Sequence, residues 1–124
     1  SVLKSYKEYV EDYHMHKAVK VVRNFLVDDV SRFYMKIAKD RMDTDPETVS
    51  RLMYKTMKYV TIMLAPWVPH ITEWAYKDIF KDIEGLESVH MFSFPLLDDN
   101  AIDAELEGAA DLARDIFSQL LMLR

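Results

Sequence analysis

The chain has 124 residues, half of them apolar, with two glycines, four prolines, no cysteine and a net charge of −5. That length suits a single core, and the apolar share excludes a disordered chain. The missing cysteines exclude a disulfide framework or thiolate metal site, and so few glycines and prolines favour long helices over short strands and turns.

The elements follow from apolar periodicity. Leu3, Tyr6, Val10 and Tyr13 mark a first helix over residues 2–13, and His14, Met15 and His16 mark a break or a new start. The second helix is the longest. Met15, Val19, Val22, Leu26, Val30, Phe33 and Ile37 step by three or four, giving one stripe that Ala18 and Phe25 widen. Arg32, Lys36 and Lys39 lie together outside that stripe. Asp45 and Pro46 then suit the cap and first position of a third helix. Its expected inward residues are Val49, Leu52, Met53, Met57, Val60, Met63 and Leu64, with Arg51, Lys55 and Lys58 as a basic ridge opposite.

Pro66-Trp67-Val68-Pro69 ends this helix, and Pro69 opens a fourth to about Ile83. Ile71, Trp74, Ala75 and Ile79 are expected to face inward, and Gly85 to take the left-handed position after the helix. Ser88 to Phe94 reads as a short extended segment, and residues 98–100 as a turn. A last helix starts near Asp103, with Leu106, Ala110, Ala113, Phe117 and Leu120 inward, and runs to the chain end. Five helices with one extended segment near residues 88–94 make an all-α bundle in a single domain over 1–124. Both ends read as cut points in a longer protein.

The charge is uneven. From Lys17 to Lys58 there are ten Lys/Arg against six Asp/Glu, so this stretch carries +4 and the remainder −9. A local basic surface is what phosphate contacts need. Charges that only solvate helix faces would look the same. No run is apolar enough to cross a bilayer, and no signal peptide opens the chain.

Three blocks carry a resemblance. The first runs from Phe25 to Arg41 and contains Ser31-Arg32-Phe33-Tyr34 and a closing Lys39-Asp40-Arg41. The second is Met63-Leu-Ala-Pro-Trp-Val-Pro-His-Ile-Thr-Glu73, and the third Ser88-Val-His-Met-Phe-Ser-Phe-Pro95. In this order they resemble the anticodon-binding domain of class I aminoacyl-tRNA synthetases, most closely the isoleucyl enzymes. The second block is shared with valyl, leucyl and methionyl relatives. His70 departs from it, standing where an apolar residue is more usual.

The resemblance implies a helical domain that grips the anticodon stem and loop of tRNA, joined to the rest of a cytoplasmic synthetase, with no part for DNA or a membrane. The parent would be a ligase that esterifies isoleucine to its tRNA with ATP and magnesium, with zinc possible elsewhere in that parent. Its catalytic signatures, His-Ile-Gly-His and Lys-Met-Ser-Lys-Ser, do not occur in these residues. The resemblance therefore assigns this chain no catalytic residue, metal or cofactor.

By the same analogy Arg32, Lys36, Lys39 and Arg41 are the first candidates for RNA contact, and Arg51 and Lys55 extend them. Lys and Arg bind phosphate, and Arg also stacks on an unstacked base. Internal pairing is the alternative: Asp28 with Arg32 and Lys36 with Asp40 are one turn apart, each pair worth about 0.3–0.5 kcal/mol. Phe33, Trp67 and Trp74 could be stacking platforms, but they fit core or wall packing better. His14 and His16 fall on different helix faces and do not suggest a metal site. Asp28 and Asp29 are adjacent rather than facing, a poor acid–base pair. A helical protein–protein module and, further off, a free-standing enzyme using those carboxylates are the rival readings.

Overall fold

In a computed structural model of the protein, residues 2–96 and 103–122 are described, with the side chains of 117, 118 and 120–122 excepted. The expected turn at 98–100 and the inward placement of Phe117 and Leu120 lie outside what is described.

The described residues form helices, a single 3-10 turn and links. Helix α1 is Val2–Glu11 and α2 is Met15–Asn24. Between them the chain reverses at Tyr13, which takes a left-handed φ of 59°. Tyr13 is 84% exposed rather than on the inward stripe, because α1 has already ended. The long second helix is continuous but not uniform. Phe25–Tyr34 winds as a π-helix before α3, Met35–Met42, resumes the α form. The amide of Met35 bonds to the carbonyl of Val30, five residues back, so the hydrogen-bonded loop closes over one residue more than in an α-helix.

This wider turn rotates the stripe. Ala18, Val22, Val30 and Ala38 are buried, whereas Ile37 is 43% exposed. The step of three or four that placed Ile37 inward assumes 3.6 residues per turn throughout. Met15, at the other end of the stripe, is also exposed.

Asp45 and Pro46 act as expected. The Asp45 carboxylate accepts from the Thr48 amide at 3.2 Å, and α4 runs Pro46–Leu64. Val49, Val60 and Met63 are buried, but Leu52 and Met57 are exposed. Helix α5, Pro69–Ile79, also starts on its proline but presents a different face than expected. Thr72, Tyr76 and the following Phe80 are buried, while Ile71, Trp74 and Ile79 are exposed, Trp74 by 69%. The buried face wins because its polar atoms are satisfied. The Tyr76 hydroxyl donates to the Leu86 carbonyl at 2.8 Å, and Thr72 donates to Val68 one turn back.

Helix α5 breaks at Phe80, and one turn, α6 (Lys81–Glu84), ends at Gly85 with φ of 73°. The segment expected to be extended is instead centred on a 3-10 turn, Val89–Met91, flanked by extended Ser88 and Phe92. Ser88 caps that turn through its own side chain, which a strand has no need of. Helix α7, Ala104–Met122, opens on Asp103, whose carboxylate accepts from the amides of Glu105 and Leu106. Its expected inward residues Leu106, Ala110 and Ala113 are exposed.

Two apolar clusters hold the helices. In the first, Tyr6, Ala18, Val22, Val60 and Met63 join α1, α2 and α4. The Tyr6 hydroxyl donates to the Met63 carbonyl at 2.7 Å and accepts from the Trp67 indole at 3.0 Å. Trp67 is thus wall, as its surroundings suggested. In the second, Ile62, Ala65, Tyr76, Phe80 and Val89 join α4, α5 and the 3-10 turn. Tyr59 borders both clusters.

Candidate nucleic-acid interface

The π segment and α3 carry the four principal cations. Arg32 is at the end of the π segment, and Lys36, Lys39 and Arg41 follow in α3, all exposed. Lys39 and Arg41 occupy the last turn of α3, where the carbonyl ends of the helix favour positive charge. Arg32 reaches the Asp28 carboxylate at 2.8 Å, in an exposed one-turn pair. Such a pair is weak enough for a phosphate to compete. Among the described residues no carboxylate forms an ion pair with Lys39. Arg41 lies near enough to Asp45 to help depress the pKa of that carboxylate, after the larger effect of the Thr48 hydrogen bonds.

On α4, Arg51 pairs with Glu47 at 2.7 Å, and Lys55 sits over the Tyr59 ring at 5.8 Å from its centroid. Both point outward. The expected third member of that ridge does not. Lys58 turns inward to Glu84 at 2.8 Å, and both side chains are about four-fifths buried. The Tyr54 hydroxyl donates to the same Glu84 oxygen at 2.7 Å. Burial, then this carboxylate, pushes the Tyr54 phenol up to about 12, while Lys58 holds Glu84 below its ordinary value. Lys58 is therefore a bolt between α4 and α6. An even spacing of cations along a helix does not distinguish a surface ridge from a buried pair whose partner is 26 residues away.

Between α3 and α4 lies an open apolar groove of about 500 Å³. Met35, Ala38, Lys39 and Met42 form one wall, and Val49, Ser50, Met53 and Tyr54 the other. Reading the sequence for charge alone missed it. The available signal was three methionines near the junction of two helices, adjacent to the cations. A second opening, about 330 Å³, separates the π segment from α7, with Phe25, Phe33, Leu52 and Ala110 in its walls. Asp29 and Arg114 form an ion pair at its edge. Asp28 and Asp29 are thus each held by an arginine, an arrangement unlike an acid–base pair. His14 and His16 are exposed, and no group of three or more His, Asp or Glu among the described residues could hold a metal ion.

Fold and surface define a helical binding module whose exposed cations follow one helix end. The chain belongs to the family of anticodon-binding domains of tRNA ligases, whose profile matches residues 1–124. It is similar to the isoleucine–tRNA ligases of Pyrococcus furiosus, at 31% identity over 121 residues, and Methanosarcina barkeri, at 32% over 123 residues. Each comparison covers 94% of this chain. The ligase of Thermococcus kodakarensis is 33% identical over 112 residues, or 86% of the chain. The chain spans only 10–12% of the length of these relatives. No solved structure matches it significantly. No helix among the described residues is long and apolar enough to cross a membrane.

Proposed function

We propose that this chain is the anticodon-binding part of a cytoplasmic isoleucine–tRNA ligase and that Arg32, Lys36, Lys39 and Arg41 contact the anticodon stem and loop. The observation that carries this reading is the row of exposed cations at the end of the long helix, in a chain whose whole length matches the family. Arg51 and Lys55 widen the row across the neighbouring helix. The cations neutralise phosphates and hold the loop in register, and unstacked bases then become available to side chains. Joining isoleucine to tRNA with ATP and Mg²⁺ would be the work of the remainder of the parent chain, against which this domain would be held.

Titration with the anticodon stem-loop of an isoleucine tRNA at several salt concentrations tests the reading. Affinity is expected to fall steeply with salt. Replacing Arg32, Lys36, Lys39 or Arg41 by Ala should each flatten the log–log slope by about one. Binding that ignores salt and all four substitutions would reject this surface. A preference for valine or leucine tRNA would reassign the parent.

A further inference from the structure

Three of the eight methionines line the groove between α3 and α4, and two of these are open to water. Met35 and Met42, on the α3 wall, are about half exposed, and Met53 on the α4 wall is partly buried. Met63, by contrast, is enclosed in the first apolar cluster. Residues 35, 39 and 42 follow one another by four and by three, so Lys39 shares a helix face with both exposed methionines. Neighbours at that spacing have Cβ atoms about 5–6 Å apart, within reach of three long side chains. Among the described residues no carboxylate pairs with Lys39. A thioether left in water adds little packing and is open to oxidants, so its surroundings decide what becomes of it.

The chemistry is oxygen transfer. A lone pair on the thioether sulfur attacks the nearer oxygen of hydrogen peroxide, the O–O bond breaks, and its electrons leave with the far oxygen. That oxygen takes a proton and departs as water, and the new S–OH loses its own proton to solvent. The sum is thioether plus peroxide giving sulfoxide plus water, with sulfur oxidised and peroxide reduced. Negative charge grows on the departing oxygen, so a donor aimed at it lowers the barrier. The Lys39 ammonium carries three N–H donors and stands one turn from each sulfur. The product then meets the same group. A sulfoxide oxygen is a polar acceptor on a side chain that was apolar before, and bonds from a charged donor are the stronger kind.

We propose that Met35 and Met42 are sites of reversible oxidation by peroxide, that Lys39 promotes the oxygen transfer, and that the sulfoxides formed hold the Lys39 ammonium. The consequence for RNA rests on the cationic surface proposed above: an ammonium held by its own helix offers less to a phosphate, so the oxidised chain binds RNA more weakly. Met91 supplies the comparison. It is 60% exposed, more than Met35 or Met42, and has no lysine or arginine within four residues. Exposure alone would oxidise Met91 first, whereas help from Lys39 puts Met35 and Met42 ahead of it.

The probe is hydrogen peroxide added to the folded chain at neutral pH, with the gain of one oxygen at each methionine followed by peptide mass spectrometry. Met35 and Met42 should gain oxygen before Met91, and Met63 last. Lys39→Ala should slow Met35 and Met42 severalfold and leave Met91 unchanged. Lys39→Arg keeps a charged donor and should restore most of the rate. Lys39 is exposed, so both variants should melt with the parent. The two methionine sulfoxide reductases, one for each sulfur epimer, should remove the added oxygen. Oxidation of Met91 first, or rates at Met35 and Met42 that ignore Lys39→Ala, would overturn the assignment whatever the RNA does. A second arm reads RNA. Brief oxidation should weaken binding of an anticodon stem-loop hairpin severalfold, and the reductases should restore it. Lys39→Ala should bind more weakly from the outset and lose nothing further on oxidation. The paired substitution Met35→Leu and Met42→Leu should keep its affinity through the peroxide treatment. If Met35 and Met42 oxidise first under control of Lys39 but hairpin affinity does not move, the masking of Lys39 is rejected. If the unoxidised chain shows no salt-dependent hairpin binding, the RNA-binding reading fails, and the order of oxidation still decides the modification sites.

Discussion

The two sides of the molecule are held together by different means. Around α4, α5, α6 and the 3-10 turn, polar side chains fasten one element to another. Lys58 and Tyr54 hold Glu84, Tyr76 holds the Leu86 carbonyl, and Glu73 accepts from both the Ser88 hydroxyl and the Val89 amide. Along α3 and α7, apolar side chains remain in water, as they also do on the outer face of α5. Met35, Ile37, Met42, Leu106, Leu112 and Ile116 are all 43% exposed or more. There the contacts bound open spaces rather than fill them. The bolted side sets the position of α4, and the open side presents cations and an apolar groove along it. The cations proposed to meet RNA lie on the open side, and the bolted side fixes the helices that carry them.

The largest break in this comparison comes from Tyr76, which is 1% exposed. Tyr76→Ala removes a ring that packs with Phe80 and Phe92 and strips the Leu86 carbonyl of its donor. A loss of about 3–5 kcal/mol is expected in urea unfolding. Phe33→Ala, at the edge of the opening beneath α7, should cost well under half as much, because part of its surface is already unpacked. Equal losses would mean the two sides are equally packed.

Next comes the bolt itself. Lys58→Ala leaves Glu84 mostly buried with, among the described residues, only the Tyr54 hydroxyl as a donor. Since both partners retain about one-fifth of their exposure, the cost should be about 1–3 kcal/mol rather than that of a fully buried pair. Lys55→Ala, one turn earlier and outward, should change stability by less than about 0.5 kcal/mol. The two lysines look alike in the sequence, so the contrast separates a structural cation from one on the surface.

What was legible in the residues, and what was not, follows the same division. Gly85 and Pro46 act through their own backbone preferences and Asp45 through a local side-chain cap, so their places could be read directly. The long helix could be recognised, but its buried face could not be followed past Val30. A π segment changes the residues per turn without any single residue announcing it, and Ala38 replaces Ile37 inside. Helix α5 offered two apolar stripes. Hydropathy prefers Ile71, Trp74 and Ile79, whereas the fold buries Thr72, Tyr76 and Phe80, because Leu86 and Val68 supply acceptors for the hydroxyls. Long-range partners decide such cases. Lys58 with Glu84 is another, and so is the groove, which exists only once α3 lies beside α4.

The bolted side should also respond to acid. Glu73 has its carboxylate drawn down to about 2, first by the Ser88 hydroxyl, then by Lys77, with the Val89 amide adding to it. A carboxylate whose folded pKa lies below its ordinary 4.5 stabilises the fold above that ordinary value. The contribution shrinks as the pH falls from about 4.5 toward 2, because protons then favour the unfolded chain. Stability measured across that window should fall less steeply in Glu73→Gln than in the parent, with α5 and the 3-10 turn the first to lose protection. Parallel slopes would show that other carboxylates carry the acid sensitivity.

The smallest effect is expected on the open side. Arg114 links α7 to Asp29 of the π segment, and also reaches Asp111 on its own helix. Both pairs are partly exposed, so Arg114→Ala should lower global stability by no more than about 1 kcal/mol. Its local consequence should be larger. With Leu106, Leu112 and Ile116 already in water, the described side chains of α7 offer little apolar burial to replace a lost ion pair. Amide exchange in α7 should therefore quicken while exchange in α4 and α5 stays unchanged, which is what an element opening separately from the core produces. If α4 slackens together with α7, the open side is not a separate cooperative unit. The contrast between a fastened frame and a loosely held face would then have to be abandoned.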